Sequence, residues 1–322
     1  MQVMRAAVVG ALLFVVIAAC GKQEQSTGDG SRPVIGISLL TMSHSFFQEL
    51  SKAIKAEAEQ QGFDLIMVAG EFDPARQQNQ INDFIVKRVA AILLCPTDSR
   101  AIGTSVKKAN EAGIPVFTAD IAVLAEGVSI VSHVASDNYQ AGRLAAKAVI
   151  EAIGGRGKIG IIDHPEVESV ILRTRGFMDE LNEQREKNGV EIEVVSRLSG
   201  GGVKDKAFKA AEDMLQAHPD LDAIFAINDP SALGVVAAIE KAGKSGRVRV
   251  VGIDGMPEGR KAVRDGKIYA EILQHPQDIG RRAIQTIAAY LSGEEVPPKI
   301  LIPTSIYRQE DAKKDPMLAT AK

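Results

Sequence analysis

Tryptophan is absent from this chain of 322 residues, tyrosine occurs four times, and aromatic residues together make up 4% of it. That scarcity argues against a large pocket walled by aromatic rings. Cysteine is almost missing, with Cys20 and Cys95 alone. An excess of either charge is missing too: 38 Lys and Arg stand against 41 Asp and Glu, for a net charge of −3. No basic face for nucleic acid, charge block or low-complexity tract follows from that balance. A long apolar run is also lacking. The longest near the start, "AAVVGALLFVVI", falls short of the ~20 residues that span a bilayer. What remains is an ordinary globular composition, 45% hydrophobic and 25% charged. At this length two domains are the natural expectation.

The N-terminus has the layout of a secretory signal over residues 1–19: one Arg in "MQVMR", the short apolar run, then "AAC". Ile17-Ala18-Ala19-Cys20 resembles a bacterial lipobox, in which Cys20 becomes the lipidated first residue of the mature chain. The alternative is an ordinary signal cleaved nearby, with a chance Cys. Residues 20–32, rich in Gly, Ser and Gln, then read as a flexible tether. With Cys20 lipidated, Cys95 has no disulfide partner. In "AAILLCPTD" it reads as a small buried hydrophobe. A catalytic Cys would want a nearby His, and the five His residues form no cluster in sequence.

From Pro33 onward apolar strands alternate with amphipathic helices. "VIGISLL" precedes "SFFQELSKAIKAEAEQQG", in which Phe46, Leu50, Ala53 and Ile54 share one face and Gly62 ends the helix. "DLIMVAG", a helix over 74–87, "VAAILLCPT", a helix over 100–112 and "IPVFTAD" follow. After "SIVSHVASDN" the rhythm restarts, with helices expected over 139–153, 171–187, 204–217, 231–242 and 278–291. The strands between them are "KIGIIDH", "VEIEVVSRL", "DAIFAIND", "VRVVGIDG" and "YAEILQHP", and "KILIPTSIYR" closes the chain. Apolar strands separated by helices imply parallel sheets covered on both faces. Two doubly wound halves meet near Ala135, and their ligands belong beyond the carboxyl ends of the strands. Asp120 stands there, at the tip of a strand over 114–118 with no cation in its next few residues. A buried carboxylate is costly unless something hydrogen-bonds it.

Enzymatic chemistry finds little support. "GKS" at 243–245 lacks the leading Gly of a phosphate loop, since Ala238 stands there, and Gly243 reads as a helix cap. "GGRGKIG" precedes its strand, so it forms no dinucleotide fingerprint. No nucleophile elbow and no metal-ligand spacing occurs. Binding is the better reading. Asp120, Asn228, Asp254 and Gln274 fall at strand ends or crossovers, and their planar polar groups suit vicinal hydroxyls. Each has a plainer reading: Asp254 in a turn, Asn228 bonding loop backbone, Gln274 in crossover packing. Asp229-Pro230 reads as the cap and first residue of the next helix. Of Phe46 and Phe47 at least one must face the core, leaving the other for a sugar face.

The segments "SFFQEL", "PTDSRAI", "IVSHVASDN", "RTRGF", "AHPDLDAIFAINDPSALG", "VVGIDGMPEGRKAV" and "ILQHP" resemble the ribose-type periplasmic sugar-binding proteins of ABC importers. They also resemble the ligand domains of lactose-repressor-type regulators, but a signal-like segment stands where a DNA-binding motif would precede Pro33. The resemblance covers about Pro33 to Arg308. It implies an α/β fold of two doubly wound parallel-sheet lobes joined by a three-crossover hinge, the periplasmic binding protein type 1 fold. The crossovers would lie near Ala135–Ser136, Gln274–His275 and Pro303–Thr304. The lobes would be 33–135 plus 275–303 and 136–274 plus 304–322.

The resemblance also places Phe46, Phe47, Asp120, Asn228, Asp254 and Gln274 at sugar-contacting positions. Ribose-binding members carry Arg where this chain has Ile121 and Ile171, and Asn where it has Cys95 and His44. The aromatic expected after the second lobe's middle strand is Gly202. Each lost Arg removes a fork of donors, so His44 or Arg173 would have to reach in. The expected ligand is thus a sugar or polyol other than ribose, deoxy sugars and less polar cyclic solutes included, held by hinge closure without cofactor or metal. The expected partners are an ABC permease and, through the lipid, a membrane. The expected protein is an exported, monomeric binding protein rather than an enzyme. Presentation of the solute to a sensor kinase or chemoreceptor is the rival reading, and an exported carbohydrate enzyme the second.

Overall fold

The computed structural model describes residues 32–319. The signal segment, Cys20 and all but the last residue of the tether lie outside them. In chain order the elements are β1 (Val34–Leu39), α1 (Ser45–Gln61), β2 (Asp64–Ala69), α2 (Pro74–Val86), β3 (Ala91–Leu94), α3 (Gly103–Glu111), β4 (Val116–Ala119) and β5 (His133–Ser136). Then come α4 (Asn138–Ile153), β6 (Arg156–Asp163), α5 (Glu168–Asn188), β7 (Glu191–Ser199), α6 (Lys204–Ala217), β8 (Ala223–Ala226), α7 (Asp229–Lys241) and β9 (Arg249–Asp254). The chain continues through α8 (Pro257–Arg264), β10 (Ala270–Leu273), α9 (Pro276–Leu291), β11 (Lys299–Ile302) and β12 (Ser305–Arg308), followed by two four-residue helices. None of the described helices is long and apolar enough to cross a membrane.

Two six-stranded sheets result, in the orders β11-β5-β4-β3-β1-β2 and β12-β10-β9-β8-β6-β7. Both faces of the first sheet are covered. Ile35, Ile37 and Phe117 meet α1 and α9 on one side, while Ile92, Leu94 and Val116 meet α2 and α3 on the other. That is why these strands carry apolar residues on both faces rather than alternating. Every ladder of this sheet is parallel. The second sheet is not purely parallel, which corrects the expectation: β12 runs antiparallel to β10, with Leu273 opposite Ser305. The closing segment "KILIPTSIYR" splits at Pro303-Thr304 and gives one strand to each sheet. β10 leaves the second sheet at the end where β12 re-enters it, so the two neighbours run in opposite directions.

The chain therefore passes between sheets three times: after β5, after β10 and between β11 and β12. Ser136 still pairs with Ile302 in the first sheet, and the Asp137 N–H donates to the Ile302 carbonyl at 2.8 Å. Across the mouth of the cleft, Ser99 of the first lobe meets the start of α5 in the second.

Local chemistry sets the helix ends. Gly62, at φ 75°, ends α1 as expected. Asp73 caps α2, accepting from the Ala75 and Arg76 N–H groups ahead of Pro74. Two expectations shift. The helix expected over 100–112 starts at Gly103, because Asp98 holds the Arg100 and Ala101 N–H groups in a turn first. The cap of α7 is Asn228, not Asp229: the Asn228 side chain accepts from the Ser231 N–H at 3.0 Å, so Asp229 is the first helical residue. The short helix α8 was not anticipated.

Candidate functional site

The cleft between the carboxyl ends of the two sheets narrows to a cavity with about 430 Å³ of space free of atoms. The lobes lie close over the site. Nine of the eleven singled-out positions line it: His44, Phe46, Phe47, Asp120, Ile121, Arg173, Asn228, Asp254 and Gln274.

Asp120 follows β4 with φ 62° and is 4% exposed. Its N–H is used by the Val134 carbonyl at 2.9 Å, and its Oδ1 has no partner among the described residues. Burial pushes its carboxyl up to about 7. Arg173 opposes that rise, while Asp254 and Glu168 add to it. Asp254 closes β9 with φ 124°. Its Oδ1 accepts from Gln274 Nε2 at 2.7 Å and lies 3.8 Å from Arg173 Nη1, and its Oδ2 accepts from the Asp229 N–H at 3.3 Å. Burial raises this carboxyl to about 6 against the pull of Arg173 and Gln274. Both carboxylates are thus poised close to neutrality, and Arg173 is the cation between them.

Arg173 is held rigidly. From α5 it donates Nε–H to Asn138 Oδ1 at 2.8 Å and Nη1–H to the Ile227 carbonyl at 2.7 Å. Gln274 spends its amide N–H on Asp254 and leaves Oε1, buried, without a partner among the described residues. Asn228 is largely committed to the fold, since its Nδ2 donates to the Gly202 carbonyl at 3.0 Å while its Oδ1 caps α7.

The wall opposite the acids is apolar and aromatic. Phe46 and Phe47 are both buried, with ring centroids 5.2 Å apart at 82°, and both reach the cavity. His44 lies 5.4 Å from the Phe72 ring and 6.4 Å from the Phe47 ring. Burial lowers its imidazole to about 4, so it is neutral near pH 7.

Cys95 and Ile171 do not line the cavity, which corrects their place among the site positions. Cys95 is fully buried behind β1, its N–H on the Ser38 carbonyl at 2.8 Å, and burial drives its thiol well above the ordinary range. Ile171 sits two residues before Arg173 on α5, roughly 200° around the helix, so it faces away from the side Arg173 faces.

Seven lining residues were not singled out: Phe72 and His164, which meet across the cleft, and Leu40, Val167, Ser169, Val170 and Ile227. Phe72 follows β2 in a left-handed conformation, φ 61°. His164 follows β6, with Nδ1 2.7 Å from Glu166 Oε2, and burial lowers its imidazole. Their rings lie 6.4 Å apart across the cleft. A Cβ on Gly202 would stand 3.4 Å from His164 and 3.8 Å from Phe72, so these rings take the space that an aromatic at 202 would fill. His164 had a signal, being a strand-end residue like Asp120. Phe72 had none. Among the described residues five other than Gly carry positive φ, and Phe72, Asp120 and Asp254 are three of them. Strain concentrates here, as at many ligand clamps.

Acceptors dominate: Asp120, Asp254 and Gln274 Oε1, while neither ring nitrogen of His164 has a hydrogen-bond partner among the described residues. Arg173 is the strong donor. Such a set suits a solute rich in hydroxyl donors. No cluster of metal-ligating side chains occurs among the described residues. A larger hollow, with about 1430 Å³ of space free of atoms, lies at the other end of the second lobe, where β9 and β10 begin. Its charges are largely paired internally, Arg308 with Glu151 and Lys267 with Glu240, and it is at the wrong end of the strands for a ligand site of this fold class.

Residues 35–295 match the family model described as periplasmic binding protein domain. The chain is 32% identical over 286 residues to the ribose import binding protein RbsB of Bacillus subtilis, covering 88% of this chain and 90% of that one. It is 31% identical over 288 residues to the D-apiose import binding protein of Paraburkholderia graminis, covering 88% and 90%. It also superposes with a TM-score of 0.80 and 29% identity on an ABC transporter periplasmic solute binding protein from Actinobacillus succinogenes with bound D-allose, covering 88% of this chain and 100% of that one.

Proposed function

The chain belongs to the periplasmic binding proteins, in their ribose-type sugar-binding group, and from that premise we propose that it is the solute-binding component of an ABC importer. It captures a sugar-like or polyol solute between its lobes and delivers it to a membrane permease. The observation that carries this reading is Arg173, buried between a carboxylate of each lobe, Asp120 and Asp254, with acceptors around it left open. A ligand bridging the lobes stabilises the closed form to the extent that it binds that form better than the open one. The hinge runs through the neighbourhoods of Ser136, Gln274 and Thr304, with lobes of 33–135 plus 275–303 and 136–274 plus 304–322.

The ligand is not ribose. Ile121 and the aromatic wall of Phe46, Phe47 and Phe72 favour a solute with an apolar edge, such as a deoxy sugar or a less polar cyclic polyol. The solute is released unchanged. The protein is exported, tethered through a lipid on Cys20 and monomeric.

A thermal-shift panel of pentoses, hexoses, deoxy sugars and polyols tests this reading. A ligand at 100 times its dissociation constant adds about 2.7 kcal/mol, which moves the midpoint by several degrees, at about 2–4 °C per kcal/mol. A shift with at least one panel member that exceeds the shift with ribose at the same concentration supports the proposal. Silence across the panel contradicts it.

A further inference from the structure

A second acidic layer lies beneath Asp254, out of reach of any ligand. Glu271, in the middle of β10, is 0% exposed. The pleat turns Ala270 and Ile272 toward the core shared with α4, so Glu271 faces α7 and α8. It lies opposite Gly252 of β9, and its carboxyl occupies the room a side chain there would need: a Cβ on Gly252 would stand 2.2 Å from Glu271 Oε1. Asp229, 1% exposed at the start of α7, is received in the same way under α8, where a Cβ on Gly259 would stand 2.2 Å from its Oδ1. Two glycines thus make space for two carboxyl groups.

Asp229 is tied to the ligand side. Its N–H donates to Asp254 Oδ2, and its own Oδ2 accepts from the Met256 N–H at 2.7 Å. Asp254, Asp229 and Glu271 form a chain of carboxyls running inward from the cavity. The other charged or titratable groups on this side are Asp254 from β9, Glu258 and Arg260 from α8, and Tyr307 from β12, which pairs with Glu271. Arg260 is spent elsewhere, donating to the Gly255 carbonyl and to Asp315, and the Tyr307 hydroxyl also goes to Asp315. As carboxylates, both Glu271 oxygens and Asp229 Oδ1 have no donor among the described residues. Two ionised groups here would be adjacent anions in a dry interior without a counter-charge.

We propose that Glu271 and Asp229 share one proton at neutral pH, with Glu271 donating it to Asp229 Oδ1, so that Glu271 positions the turn carrying Asp254. The balance is simple: one acid and one carboxylate, a single O–H···O bond, and the second Asp229 oxygen free for Met256. Burial lifts both groups well above the ordinary carboxylate range, and each is pushed further by neighbouring acids. The consequence for ligand binding rests on the cleft being the ligand site, whereas the shared proton does not.

Infrared spectroscopy of the purified protein at about pH 8.5, above the range of Asp120 and Asp254, reads the proton directly without ligand. The wild type retains a carboxylic-acid C=O band, and Glu271→Gln and Asp229→Asn both lose it, because an amide supplies the hydrogen bond permanently. Carbon-13 in the Glu carboxyls shifts the band, which carries the test if neither variant folds. The folded state keeps a proton that the unfolded chain releases, so wild-type stability declines as pH rises above the ordinary carboxylate range. The Glu271→Gln profile is flatter by about one proton over that window. A wild type without the band, a band that survives in both variants or ignores the label, or superimposable pH profiles overturns the proposal.

Discussion

Ser99 of the first lobe and Glu168 of the second are joined across the mouth of the cleft: the Glu168 N–H donates to Ser99 Oγ at 2.9 Å, and the Ser99 N–H donates to the Glu166 carbonyl at 3.0 Å. Both are bonds between lobes, and the second involves backbone alone. They form only when the lobes are together, so they count toward the closed state and not toward either lobe.

Ser99→Ala removes one of these bonds. A hydrogen bond of this kind contributes about 0.5–1.5 kcal/mol, which predicts an affinity loss of roughly two- to tenfold. The unliganded melting midpoint should change little if the lobes open freely. Calorimetric titration with the best ligand of the panel, beside a melting curve without it, separates the two effects.

Asp120 and Asp254 set the pH response. Their folded values of about 7 and about 6 lie above the ~3.9 of an unfolded Asp. Folded protein therefore holds protons that the unfolded chain has released. Their contribution to stability is full below about pH 4 and is lost as pH rises through 6 and 7. A ligand whose hydroxyls donate to these carboxylates draws both values back down. Melting midpoints taken across that range should slope downward without ligand and flatten with it, and affinity should rise with pH. An affinity that falls over the same range would contradict the assignment of Asp120 as an acceptor.

Asp120→Asn replaces a charged acceptor with a neutral one. Hydrogen bonds to charged groups contribute about 1.5–3 kcal/mol, so affinity should fall roughly ten- to hundredfold. The ligand-free protein should become more stable above neutral pH, because an ionised buried group is gone. Arg173→Met acts in the opposite sense on stability. It strands Asn138 Oδ1 and the Ile227 carbonyl and leaves two acids without their cation, at a cost of about 3–5 kcal/mol. Denaturant unfolding of both variants distinguishes these directions.

Phe72→Gly tests the aromatic wall. The left-handed backbone at φ 61° suits glycine, so relief of about 1 kcal/mol of strain offsets part of the lost ring contact with His44 and His164. The variant should fold, accept bulkier or more polar solutes than the wild type, and lose selectivity for an apolar edge. An unchanged ligand profile would show that the ring does not touch the solute.

Much of this architecture is readable in the chain because its physics is local. Apolar strands between amphipathic helices announce covered parallel sheets, and a carboxylate at a strand tip such as Asp120 or Asp254 marks the ligand side. The direction of β12 is not local: it is set by the chain re-entering the second sheet beside the end of β10, after two intervening elements. Asn228 and Asp229 are adjacent capping residues, and only the phase of α7 decides between them. Phe72 and His164 meet only because the lobes close, across 92 positions of sequence. Ile171 was placed by likeness to relatives, and the turn of α5 takes it away from the cavity. The eight residues of α8, with a glycine inside, are too few to show a period.

Calorimetric titration of D-ribose against the purified protein, beside the best panel ligand, bears most directly on the claim that this cleft takes a sugar-like solute other than ribose. The account predicts measurable heat and a tighter constant for the panel ligand, with ribose weaker by at least about tenfold, or about 1.4 kcal/mol. Sub-micromolar ribose binding would contradict it, and would mean that Ile121 and the aromatic wall leave the pocket of the ribose-binding relatives intact.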